Sequence, residues 1–177
     1  VRLTRRQLLA LTGLATVAFY IVLIVIDQRL KDTGGPSILG LEFAGSADRV
    51  SEIASEWGTH GVYLARLSLW IDFGFMLSYG AFFTLAGLVT RDFARDHGRR
   101  ALAAAGLVVP YFAAAAAIFD AGENSIWLLA LGGHATSLAL VATGCAIAKF
   151  VLIAIAIAYA VCGLIAWLWS LRRDESR

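Results

Sequence analysis

Proline is almost missing from this chain, with two residues in 177. There is also no low-complexity tract and no internal repeat, so neither a proline-rich linker nor a repeat array fits. Cysteine is equally scarce. Cys145 and Cys162 fall 17 residues apart on one predicted helix, about 25 Å along its axis. They cannot pair within that helix, and no redox compartment follows from them. Charge is the most telling shortage. Only 16% of the residues are charged and 59% are hydrophobic, where a soluble domain carries about 25% charged residues. Together with the long apolar runs, this excludes an ordinary soluble domain and places the chain in the integral membrane class. The arginines sit in short clusters at predicted helix ends and form no stripe, which excludes nucleic acid as a partner.

What is present is four apolar runs. Leu8–Ile26 is uncharged over 19 residues, enough for one crossing. Its flank, Thr4-Arg5-Arg6-Gln7-Leu8-Leu9, superficially resembles a twin-arginine export signal. The bulky Tyr20–Ile26 end offers no small-residue cleavage site, so the segment reads as a retained first helix. A second span is expected over 63–90, a third over 101–131 with a kink at Pro110, and a fourth over 135–171 after a turn at Gly132-Gly133-His134. Between spans one and two lies a polar outer segment, 27–62. Asp32-Thr33-Gly34-Gly35-Pro36 signals a turn. Ser46 is a candidate N-cap for a short amphipathic helix ending at Trp57, with Val50, Ile53, Ala54 and Trp57 as its apolar face. The apolar patch around Glu42 is expected to dip back toward the bundle.

Arginine distribution sets the expected orientation. The N-terminus, the 91–100 loop and the C-terminus are basic, whereas 27–62 carries three basic and six acidic residues. The positive-inside rule then puts both termini in the cytoplasm. The expected fold is an all-α, four-helix transmembrane bundle in a single domain. Its expected location is the cell membrane, as a multi-pass protein of a bacterial inner membrane.

Polar residues inside the spans carry the functional signal. Asp120, Glu123, Asn124 and Trp127 recur at i, i+3, i+4 and i+7, one helical face. At a rise of about 1.5 Å per residue, Asp72, Asp120, Glu123 and Lys149 fall at similar depth. They occupy a band roughly 7 Å thick in the outer half of the bundle. Ionised groups facing lipid cost at least about 2.5–3.5 kcal/mol each near the centre, so all four are expected to point inward and meet. Three carboxyls then face one ammonium, and either a proton or a cationic partner restores the balance.

The expected site has Asp120, Glu123 and Asp72 as hypothetical acid/base groups. Asn124, Lys149, Tyr79, Trp127, Glu42 and Trp57 are its binding residues. Glu42 and Trp57 would cap a polar cavity from outside. No Cys/His spacing supports zinc, and neither a metal nor a cofactor is expected. The predicted ligand is a membrane lipid or small amphiphile. The rival readings are an interaction or assembly subunit whose buried charges fix helix register, and proton- or ion-coupled transport by an oligomer. A homo-oligomer or a membrane-complex partner is compatible with each.

The pattern Leu41-Glu42-Phe43-Ala44, Trp57, Asp72-Phe73, Tyr79, Asp120-x-x-Glu123-Asn124 and Lys149 resembles a group of uncharacterised bacterial four-helix membrane proteins. That resemblance spans most of the chain and implies the fold alone. A looser likeness is to the sterol-isomerase-like (EXPERA) membrane proteins. They too have a long outer segment after helix one and acids in an intramembrane cavity. Their motifs do not match residue by residue, so no catalytic role is carried over.

Overall fold

A computed structural model describes residues 3–134 and 136–174. All regular structure among them is helical. Four helices are long and apolar enough to cross a membrane, and large apolar side chains cover their outer faces. Leu14, Leu77, Ile118 and Leu140 are each at least 70% exposed. Such surfaces suit lipid and not water. The chain has the form of a multi-pass integral membrane protein.

Helix α1 (Arg5–Lys31) opens with a capping box in which Thr4 and Gln7 satisfy each other's backbone donors. It extends past both expected ends, because charged residues beyond the apolar run do not stop a helix. Helix α2 (Ile38–Glu42) is a single short turn in the outer segment.

Helix α3 (Ala47–Asp96) is two helices joined at Gly58, whose φ of 61° and ψ of −174° break the ladder. Ser46 caps the first arm by accepting the N–H of Arg49. In that arm Val50, Ile53 and Trp57 are buried and Ala54 is half-buried. The second arm, 59–96, is the crossing. It therefore begins before the expected Tyr63 and runs through Arg91 and Arg95, where a loop was expected. Cations suit a helix C-terminus, and the stop comes only at Gly98, with φ of 67°.

The third span is interrupted and not merely kinked. Helix α4 (Arg100–Ala105) ends in a turn over 106–109, and α5 (Pro110–Ala130) starts afresh with proline at its first position. Proline lacks an N–H but needs none there. Helix α6 (Ala139–Asp174) follows a 3₁₀ turn, Thr136–Leu138. Ala135, where that span was expected to begin, lies outside the described residues.

Helices α3, α5 and α6 pack on one another, and α1 lies against α3. Small residues make this possible. Ala113 and Ala116 on α5 are fully buried, and the Phe19 ring of α1 rests over Gly74 of α3, where a Cβ would collide. Arg5 pins the N-terminal end of α1 to Asp92 at 2.6 Å.

Candidate functional site

A cleft separates α1 from α6. Its floor is α3 and α5, α2 closes its polar end, and it encloses about 660 Å³. That lies within the range of roughly 300–1,000 Å³ usual for small-molecule sites. Most of its wall is apolar: Leu23 and Ile24 on α1, Phe75 and Phe83 on α3, Ile153 and Ile157 on α6. Its polar end is built by Asp72, Tyr79, Asp120 and Lys149 from the bundle and Glu42 from α2.

Each polar group is held by a different helix. Lys149 on α6 is 6% exposed. Its Nζ lies 2.9 Å from Asp120 Oδ1, 2.8 Å from Glu123 Oε2 and 3.4 Å from Glu42 Oε1. The Glu123 contact is an ion pair without hydrogen-bond alignment. Tyr79 on α3 donates its hydroxyl to the other Asp120 oxygen at 2.9 Å. Asn124 donates to Asp72 Oδ2 at 2.7 Å, and Trp127 donates its indole N–H to Glu123 Oε1 at 3.2 Å. Thus the i, i+3, i+4, i+7 face of α5 is wholly buried and wholly engaged.

Helix α2 is strapped across the polar end of the cleft. Asp27 of α1 accepts the N–H of Ile38 at 2.8 Å, fixing its start. Thr143 of α6 fixes its finish, donating to the Glu42 carbonyl at 2.9 Å and accepting from Gly45 N–H at 3.2 Å. The strap lowers the Glu42 side chain onto Lys149. Burial pushes the Glu42 carboxyl above its ordinary range, while the Lys149 ammonium pulls the other way. Its Oε2 is buried with no hydrogen-bond partner among the described residues.

The structure sorts the expected site residues into two layers. Asp72, Tyr79, Asp120, Lys149 and Glu42 line the cleft. Glu123, Asn124 and Trp127 are fully or almost fully buried behind them and orient the lining groups. Trp57 stands apart. Its indole donates to the Pro36 carbonyl at 2.8 Å, holding the turn that leads into the strap. His60, His134 and Arg66 are exposed. Among the described residues, no group of three or more His, Cys, Asp or Glu side chains is arranged to hold a metal.

Sequence reasoning missed the α1 wall. Tyr20, Leu23, Ile24 and Asp27 all line the cleft. Their spacing of i, i+3, i+4 and i+7 was the available signal, and the only polar members are an aromatic and an acid at the helix end. Phe150, beside Lys149, was missed too. No family model, curated protein or solved structure matches the chain.

Proposed function

We propose that this is a cell-membrane protein, both termini cytoplasmic, that holds a lipid or small amphiphile in the cleft between α1 and α6. One observation carries the reading: a long apolar cleft ends in a cluster of buried charges instead of a closed core. That is the polarity profile of an amphiphile. α1 packs on α3 but makes almost no contact with α6, so the cleft is open between them, and α1 is the least buried of the four long helices. Chains therefore have a lateral way in from the bilayer. Within this reading Asp72, Asp120 and Glu42 face the ligand's polar end, and Glu123 sets Lys149 from behind. A bacterial inner membrane, with the strap facing outward, suits the arginine distribution.

The test is thermal unfolding of the full chain in a neutral maltoside detergent, with and without a membrane lipid extract. Lipid should raise the midpoint of the wild type by several degrees. Ile153→Trp, which fills the apolar part of the cleft, should unfold at a similar baseline and lose the lipid shift. A wild type indifferent to lipid would remove the binding reading.

A second reading is favoured by the saturation of Lys149. Three carboxylates from α2 and α5 converge on it, and such a network also fixes the register of the helices it joins.

A further inference from the structure

Both cations that line the cleft are already spent. Lys31 is paired with Asp27 at 2.7 Å, and the pair cancels. Lys149 has three N–H donors, and three carboxylates surround it. Only Asp120 meets it with hydrogen-bond geometry, but a phosphate or carboxylate brought in by a ligand would have to compete with all three acids for the one ammonium. Against that one ammonium stand Asp120, Glu123, Glu42 and Asp72. Four carboxyl groups against one ammonium leave the polar end rich in acid, an excess that bound protons or a cationic occupant must balance.

Glu42 adds an independent sign. It is 8% exposed, it lines the cleft, and its Oε2 has no partner among the described residues. A buried carboxylate oxygen left unmatched is costly unless something fills the place.

The wall leading there is aromatic. Tyr20 stacks on Phe75 with ring centroids 6.1 Å apart. Phe75 meets Tyr79 edge-on at 5.2 Å, and the Tyr79 hydroxyl ends on Asp120. Across the cleft, the Phe150 ring already lies 5.1 Å from an ammonium, that of Lys149. Aromatic faces next to carboxylates are the surroundings that select organic cations.

We infer that the occupant of the cleft is an amphiphile with a cationic headgroup, an amine or a quaternary ammonium, seated between Glu42, Asp72 and Asp120. This rests on the amphiphile reading above and adds the class of headgroup. An anionic head would meet carboxylates and, among the described residues that line the cleft, only cations already paired with acids. A neutral head would leave the Glu42 oxygen unmatched and the acid excess to protons alone.

Headgroup can be separated from chain. The full-length protein in maltoside would be titrated with hexadecyltrimethylammonium, hexadecanol and hexadecanoate, each at the same low mole fraction in the maltoside micelles. Binding would be read by native mass spectrometry. The trimethylammonium probe should bind at least tenfold more tightly than either of the others. Equal affinity for all three, or preference for the alcohol or the acid, would overturn the cationic assignment and leave the cleft reading standing. No binding of any probe would overturn both. Glu42→Gln and, separately, Asp72→Asn should each lower affinity for the cation about tenfold without changing affinity for the alcohol. If neither variant narrows the preference, these carboxylates do not select the headgroup.

Discussion

Lys149 is the side chain on which the buried network depends most. It is one ammonium shared by Asp120, Glu123 and Glu42. Removing one partner of a buried ion pair leaves the other charged and uncompensated, at about 3–5 kcal/mol. Lys149→Met should therefore destabilise the protein by about that much, measured as a shift in reversible unfolding in mixed micelles. Glu123→Gln should cost less, because the lysine keeps two partners. The double variant should recover part of the loss, since it removes one of the stranded acids. Additive losses would mean that the two side chains are not energetically coupled. Tyr79→Phe should lose only about 1 kcal/mol, the net worth of one hydrogen bond, because Asp120 keeps Lys149. Asp120, Glu123 and Lys149 were legible as a group because charges inside an apolar run have few places to go. Glu42 was legible as a cap over the cavity, but its ion pair with Lys149 was not, because an acid in a segment between spans looks the same whether it faces water or a buried ammonium.

Two breaks shape the elements. Gly58 turns the α3 crossing away from the short outer arm, with a backbone conformation open almost only to glycine. A Cβ there would touch nothing within 4 Å, so any penalty is conformational and not steric. Gly58→Ala should destabilise by about 1–3 kcal/mol. Gly144→Ala is the control. It is helical and also has open space, and it should stabilise by about 0.5–1 kcal/mol. Thermal midpoints of both variants, compared with wild type, decide the point. Pro110 was readable as a disturbance but not as a helix start, because the residue tolerates both a kink and a first turn. The extra length of α1 and α3 was unreadable from hydropathy. The apolar run marks what crosses the membrane, whereas caps such as Thr4 and breakers such as Gly98 mark where the helix ends.

For the molecule as a whole, the predicted topology puts the strap and the 132–134 turn on one face of the membrane and the arginine-rich ends on the other. The Arg5–Asp92 contact places the start of α1 and the end of α3 at the same end of the bundle. Single cysteines introduced by Ser55→Cys and Asp96→Cys, in a Cys145→Ala, Cys162→Ala background, test the orientation. A membrane-impermeant maleimide should label position 55 in intact cells and position 96 only after permeabilisation. The reverse pattern would invert the topology and with it the outward-facing strap.

The class of the molecule, its four apolar helices and the polar face of α5 were all determined by the order of residues along the chain. Each of these depends on local quantities: run length, helical period and the cost of charge in lipid. The cleft depended on more than that. Whether α1 packs against α3 alone or also closes on α6 is a matter of which faces meet. Glu42 reaches Lys149 because Asp27 and Thr143, 116 positions apart in the chain, tie the two ends of one short helix. Contacts between such distant positions have no period for the sequence to display. They arise only when packing fixes the helices side by side, and it is that packing which turned three buried acids, the half-buried Asp72 and a lysine into the end of a cavity.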